Sequence, residues 1–293
     1  MELWIEKYRP RKLDNVIMSD EYRKRFKEFI ATGEIPHLLL HGAVGSGKTS
    51  IAKILLQELD ATILEMNASD ERGLDVIRNK IKSFVSSQSF NKWKVVFLDE
   101  ADALTADAQF ALRNMMETFS KKSRFILTAN YVEKIIEPIQ SRCTMFEFSA
   151  LPKKDIVHIA KHIMEEESIV VQDIESLVVL VEDSYPDVRK VINMAQYSSV
   201  DGIFIYESHI GLYAEIMGLL KVKDLKQIRE RLSKSLNYTG LYRFLFDNAI
   251  ELGAKDKTGQ VLLTIAEYMY RDSTVADREI NFAACCLNIM SYI

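Results

Sequence analysis

The chain has 293 residues, more than one ordinary domain takes, so two or three domains are expected. With 48% hydrophobic and 27% charged residues it has an ordinary globular composition, and no apolar run approaches the ~20 residues that cross a bilayer, which argues against a membrane partner. A net charge of −4 excludes a protein that is basic overall, so any nucleic-acid binding would have to rest on a local surface.

The opening residues, MELWIEKYRP, lack the apolar core of a signal peptide, and a cytosolic or nuclear location is expected. Cys143, Cys285 and Cys286 are odd in number and the last two are adjacent, so reduced thiols are expected in place of a disulfide framework.

A short apolar strand, His37–Leu40, leads into GAVGSGKT at Gly42–Thr49, and a helix-periodic stretch, Ile51–Leu59, follows. This is the pattern G-x-x-x-x-G-K-[ST] in the strand–loop–helix setting that a phosphate-binding loop needs. Gly42, Gly45 and Gly47 let the backbone curl so that successive N–H groups face phosphates. The helix start around Ser46, Lys48, Thr49 and Ser50 adds partial positive charge. Lys48 would neutralise the β- and γ-phosphates, and the Thr49 hydroxyl would complete a Mg²⁺ shell. ATP and Mg²⁺ are the expected cofactors.

The next predicted strand is Thr62–Met66, followed by NASDERG (Asn67–Gly73) and a helix over Leu74–Val85. From Arg72 to Lys94 the basic residues Arg72, Arg78, Lys80, Lys82, Lys92 and Lys94 face a single acid, Asp75. The stretch reads either as a nucleic-acid surface or as a solvated helix face. Val95–Leu98 is an apolar run that predicts a buried parallel strand. Its carboxyl end delivers Asp99 towards Mg²⁺, with Glu100 next, placed to polarise the attacking water. Asp99-Glu100-Ala101-Asp102 also spells the motif of a class of RNA helicases. Those enzymes need a second RecA-like domain, and nothing after residue 151 has that pattern.

A helix over Ala106–Phe119 and strands over Phe125–Ala129 and Met145–Phe148 complete the alternation. It predicts an α/β fold, a parallel sheet covered by helices on both faces, with ligands at the carboxyl ends of the strands. Asn130 closes the strand Phe125–Ala129; it either holds the attacking water by a hydrogen bond or forms a turn. After Leu151-Pro152 the strand signals fade. Helices are predicted over Lys153–Glu167, Asp173–Glu182 and Pro186–Tyr197, then over His209–Leu220, Leu225–Leu236, Thr239–Glu251, Gly259–Arg271 and Asp277–Ile293. The expected domains are an α/β nucleotide-binding domain over residues 1–150, a small helical domain over 151–207 and a further helical domain over 208–293.

Six motifs stand in a telling order: WIEKYRP (Trp4–Pro10), the phosphate loop, NASDERG, VVFLDEAD, Ser141-Arg142-Cys143 and Pro186-Asp187-Val188-Arg189. On them, from Trp4 to about Asn193, the chain resembles the small ATPase subunit of sliding-clamp loaders. These are the replication factor C family and its phage counterparts, within the AAA+ ATPases. The segment from Ser208 matches only in length and helix content.

The resemblance implies an AAA+ RecA-like domain, a helical lid and a C-terminal oligomerisation collar. It implies the other subunits of a pentameric loader, a ring-shaped sliding clamp and primer–template DNA as partners. Tyr8, Arg9 and Pro10 would fold over the adenine, and Arg189 would reach from the lid to the γ-phosphate of its own subunit. Arg142 matches a finger that enters the neighbouring subunit's site, worth roughly 10³–10⁵ in rate. Arg72 aligns with a basic residue that contacts the DNA backbone, with Arg78, Lys80 and Lys82 beside it. Arg72 would also restrain Glu100 until DNA competes for the guanidinium; a plain salt bridge with Asp70 or Asp75 is the alternative. Ile81, Phe84 and Val85 lie at the helix end that in relatives enters a pocket on the clamp, although apolar residues at this spacing usually face a core. Ala43-Val44 depart from the two prolines that most relatives carry.

Three functions are thereby in contention. One is a DNA-stimulated ATPase that opens and loads the clamp. The second is a loader subunit that binds nucleotide without hydrolysing it. The third is another oligomeric AAA+ remodeller, such as a helicase loader or a branch-migration motor. Glu100 favours the first over the second, and WIEKYRP with NASDERG favours it over the third.

Overall fold

Short runs rich in apolar and β-branched residues form five strands: β1 (Leu38–Gly42), β2 (Ala61–Asn67), β3 (Trp93–Asp99), β4 (Ser123–Ala129) and β5 (Thr144–Phe148). In the computed structural model, which describes residues 2–206, 209–232, 238–252 and 256–293, they pair in parallel in the order β2-β3-β4-β1-β5. Alternate side chains leave a strand on opposite faces. Leu38, Leu40, Val95, Phe97 and Ile126 therefore join one core, shared with helices Asp20–Thr32 and Lys48–Glu58. Leu39, Val96, Leu98, Phe125 and Leu127 join the other, shared with Ile77, Ile81 and helix Ala106–Thr118. Burial on both faces is what the unbroken apolar runs require.

The chain forms two compact units, Met1–Val171 with Ser184–Phe204, and Gln172–Asp183 with Ile205–Ile293. The first holds the sheet, the helices Lys153–Glu166 and Val188–Tyr197, and a small second sheet. That sheet pairs β6 (Val170–Val171) and β7 (Ser199–Val200) on either side of β8 (Ile203–Phe204). Asp201 and Gly202, with φ of 50° and 77°, make the two-residue turn between β7 and β8. The expectation that strands end after residue 151 fails here, because two-residue strands leave no periodicity in the sequence.

The second unit is helical: Ile174–Ser184 as far as Asp183, then His209–Lys221, Leu225–Leu232, Tyr238–Asp247, Ala249–Leu252, Thr258–Asp272 and Arg278–Met290. Its core gathers around Tyr242 and Phe282, with Asn281 donating to the Tyr242 hydroxyl at 2.9 Å and the Tyr268 carbonyl at 3.0 Å. The helix predicted over Thr239–Glu251 breaks at Asn248, whose amide donates back to the Phe244 carbonyl. The predicted boundary at 207–208 and the helix end at 233–236 lie outside the described residues. Cys143, Cys285 and Cys286 are free thiols, and burial pushes that of Cys285 up to about 12.

The helix predicted over Leu74–Val85 is not regular. An α turn, Leu74–Val76, passes into a π turn, Ile77–Ile81, and back into α over Lys82–Ser86. Ile77 and Ile81 are fully buried and Val85 nearly so, all in the core beneath the sheet. Ile81 and Val85, expected at a contact with the clamp, are thus core residues, and only Phe84 stays half-buried at the edge. Lys94 corrects the basic stretch in the same way. It is 4% exposed, and its Nζ donates to the carbonyls of Phe84 and Ser87 and to the Ser87 hydroxyl, closing the carboxyl end of the Lys82–Ser86 helix.

Replacing Lys94 with Met strips these acceptors of their donor while keeping the side chain's bulk. Each hydrogen bond lost removes about 0.5–1.5 kcal/mol, and more where the donor is charged, so the urea midpoint should fall. An unchanged midpoint would mean that water replaces the ammonium at no cost.

Candidate active site

Gly42, Gly45 and Gly47 have φ of 122°, 74° and 94°, in the left-handed region. Two of them also answer a close approach. A Cβ on Gly42 would stand 2.3 Å from the Phe148 carbonyl oxygen, and one on Gly45 would stand 2.8 Å from Asp187 Oδ1. Asp187 caps the helix Val188–Tyr197, accepting from the N–H groups of Arg189 and Lys190. The phosphate loop therefore lies against the start of the helix that bears Arg189. Lys48 is 7% exposed and donates to the carbonyls of Gly42 (2.9 Å) and Ala43 (2.7 Å). Burial and then the Arg189 charge bring its pKa down to about 8, against the pull of Asp102, Asp99 and Glu100.

Across from the loop, β3 ends in the acids. Thr49 Oγ1 donates to both Asp99 oxygens, at 2.9 and 3.2 Å, and the Thr128 hydroxyl donates to Asp99 Oδ1. Glu100 follows with φ of 56°, a strained conformation for a residue with a side chain. Its N–H donates to Thr128 Oγ1 at 2.9 Å, and its carboxylate accepts a hydrogen bond from the Ser69 hydroxyl. Residues 44–49, Asp99, Glu100, Thr128, Asn130 and Arg189 line one cleft. Thr49 and Asp99 converge as hard oxygen donors, the set that suits Mg²⁺.

The restraint on Glu100 differs from expectation. Ser69, from NASDERG, holds its carboxylate, whereas the Arg72 side chain is exposed and pairs with neither Glu100, Asp70 nor Asp75. Arg72, Arg78 and Lys82 are exposed without an ion pair among the described residues, while Lys80 is tied to Glu71 and Lys92 to Glu34.

Tyr8, Arg9 and Pro10 do not line the cleft. The Tyr8 hydroxyl and the Lys7 ammonium both donate to Glu167 Oε1, at 2.9 and 2.6 Å, and Arg9 pairs with Glu6. Gln196 accepts from the Trp4 N–H and donates to the Glu2 carbonyl, which fastens this strap to the helix Val188–Tyr197. Arg142 also lies outside the cleft, paired with Glu117 and donating to the Pro138 carbonyl at 2.5 Å. Sequence reasoning passed over Ser69, Thr128 and Asp187. Their signals were present: Thr128 stands on the strand that ends just before Asn130, and Asp187 precedes a helix.

Residues 38–151 match the AAA family, "ATPase family associated with various cellular activities", and residues 151–204 match "Sliding-clamp-loader large subunit, AAA+ ATPase lid domain". Fold and site together define an AAA+ ATPase with a clamp-loader lid. Among curated proteins, the replication factor C small subunit of Thermofilum pendens is 46% identical over 237 residues, covering 78% of this chain and 71% of that protein. Replication factor C small subunit 1 of Pyrobaculum islandicum is 36% identical over 302 residues, covering 96% and 92%. The chain belongs to the replication factor C small subunit family, and it is a nucleotide-binding, ATP-hydrolysing enzyme. A solved structure, the Thermotoga maritima RuvB Holliday junction branch migration motor, superposes with a TM-score of 0.54 at 16% identity, covering 77% of this chain and 85% of that one, a likeness of fold alone. No helix among the described residues is long and apolar enough to cross a membrane.

A Lys48 pKa of about 8 gives nucleotide binding a pH dependence. Phosphates need the charged ammonium, so affinity should be full below this value and fall as pH rises through it, with binding taking up as much as one proton. The Kd for ATP measured on either side of pH 8 checks this. A Kd that stays level well above that point would leave Lys48 with an ordinary lysine pKa.

Proposed function

We propose that this chain is the ATPase subunit of a loader that opens a ring-shaped sliding clamp and sets it on primer–template DNA, with hydrolysis stimulated by DNA. The observation that carries the reading is an intact ATP site whose loop glycine, Gly45, abuts Asp187 at the start of a helix in the segment that matches a clamp-loader lid. Nucleotide bound there would bear directly on the lid.

The loop N–H groups and Lys48 would bind the phosphates, and Thr49 with Asp99 would hold Mg²⁺. The ion would supply charge neutralisation at the phosphate oxygens. Glu100 would take the proton of the attacking water and Asn130 would orient that water. Arg189, lining the cleft, would meet the γ-phosphate of its own subunit. Arg142 stands outside the cleft, which supports action on a neighbour's nucleotide. Such a finger makes hydrolysis conditional on assembly.

Exposed, unpaired Arg72, Arg78 and Lys82 support contact with DNA phosphates. Phe84 beside Leu64 and Met66 leaves an apolar edge that would meet the clamp. The second unit exposes Ile250, Leu263, Tyr270 and Ile280, apolar surface that suits the other subunits of a pentamer.

Arg142→Ala should leave ATP binding by the isolated chain unchanged and cut hydrolysis by the assembled complex roughly 10³-fold or more. An isolated chain that hydrolyses ATP well and loses that activity with this change would place the finger in its own site.

The loading function itself is tested on the complex purified through a tag on this chain. Primer–template DNA should raise its ATPase, Glu100→Gln should abolish that rise, and the complex with ATP should retain a ring-shaped clamp. Arg72→Ala should flatten the dependence of log affinity on log salt by roughly 0.9 per lost phosphate contact. With Ser69 as the partner of Glu100, the DNA-free rate should stay unchanged in that variant. ATPase indifferent to DNA, with no clamp retained, would sink the loader reading.

A further inference from the structure

No phosphate or metal contact falls to Asp102, the last acid of the Asp99-Glu100-Ala101-Asp102 string, whose charge favours the Lys48 ammonium without a bond to it. It lies in the short 3₁₀ turn Ala101–Ala103 that directly follows Glu100. Its Oδ2 accepts from two successive backbone N–H groups, Asn130 at 3.3 Å and Tyr131 at 3.1 Å. Its Oδ1 is sealed from solvent and has no hydrogen-bond partner among the described residues. A buried carboxylate oxygen without a partner is unfavourable, so its retention calls for a reason beyond bracing a turn.

The end of β4 supplies that reason. The pairing of β4 with β1 stops at Ala129, opposite His41, so Asn130 lies one residue past the last rung of the sheet. No strand neighbour fixes its backbone. Asp102 does, and the fixture is referred to Glu100, because both acids ride on one turn. The same turn is tied to β4 a second time by the Glu100 N–H on Thr128 Oγ1, just before Ala129. The separation of Glu100 from Asn130 is therefore set by bonds on either side of Ala129.

We propose that Asp102 is a positioning residue for ATP hydrolysis, which holds Asn130 in register with Glu100 through the N–H groups of Asn130 and Tyr131 and so sets where the attacking water sits. The proposal rests on Glu100 and Asn130 being the pair that handles the water; it does not depend on clamp or DNA. Because one oxygen serves both N–H groups, an amide oxygen can replace it. A longer acid carries the charge but moves the oxygen by about a bond length.

The test is steady-state ATPase of the complex purified through this chain, without clamp or DNA, beside the Kd for ATP. Asp102→Ala should lower kcat about 10- to 100-fold, the scale of a misplacement near 1 Å, with the Kd unchanged when measured well below the Lys48 pKa of about 8, where the ammonium stays charged without the Asp102 carboxylate. Asp102→Asn should restore most of kcat, and Asp102→Glu should not. In an Asn130→Ala background, adding Asp102→Ala should cost nothing further, since the partner it positions is gone. If Asp102→Ala fails to fold, the order of Asn above Glu still decides. Glu equal to or above Asn would make Asp102 a charge and not a fixture, and overturn the proposal. A loss on Asp102→Ala that persists undiminished without Asn130, or a loss of stability and ATP affinity with kcat intact, would also overturn it. Full kcat in Asn130→Ala alone would sink the assignment of Asn130, and the proposal with it.

Discussion

Two backbone approaches hold the site together, and both require that no side chain intervene. Gly42 brings the end of β1 against the Phe148 carbonyl, and Gly45 brings the crown of the phosphate loop against Asp187. The first seats the loop at the edge where β1 meets β5. The second sets the loop beside a helix start, whose cap is made by the same Asp187 that Gly45 touches. Arg189, two residues on, then lies close enough to Lys48 to depress its pKa. Nucleotide binding and lid position are thus joined by packing, without a separate relay. A methyl at Gly45 would have to displace a capped helix in order to fit.

The acids opposite the loop are held unequally, and the inequality suits the tasks proposed for them. Asp99 accepts from two hydroxyls, Thr49 and Thr128, and so stands fixed, as the metal ligand proposed here would have to be. Glu100 is itself strained, and among the described residues the one hydrogen-bond partner of its carboxylate is the Ser69 hydroxyl. A neutral hydroxyl restrains a carboxylate less firmly than a guanidinium would. Ser69 lies three residues before the exposed Arg72 in one loop, so displacement of that loop would move the hydroxyl from Glu100. The restraint is local, which suits the role proposed for Glu100 at the attacking water.

Much of this was legible because chemistry dictated it. The glycines, Lys48, Thr49 and Asp99 can do their work only at this spacing after a strand, and the apolar runs of β1, β3 and β4 can only be buried on both faces. What misled was ambiguity of cause. Ile81 and Val85 have the spacing of a docking face and of a core face alike, and burial chose the core. Lys94 counts as one more cation in a basic stretch, yet it closes a helix from within. Ser69 was hidden because a hydroxyl's reach depends on how the backbone folds over it, whereas Arg72 advertised itself by charge.

Ala43 shows the same lesson from the other side. It stands at one of the two positions where most relatives carry proline. Its N–H donates to the Phe148 carbonyl at 2.9 Å, a bond that proline cannot make. Its own carbonyl receives both Lys48 Nζ and the Ser46 hydroxyl. The stiffness that a ring would supply by fixing φ is supplied here by hydrogen bonds to β5 and within the loop. A departure from a family pattern can therefore preserve the geometry that the pattern serves, by an interaction that only the departing residue allows.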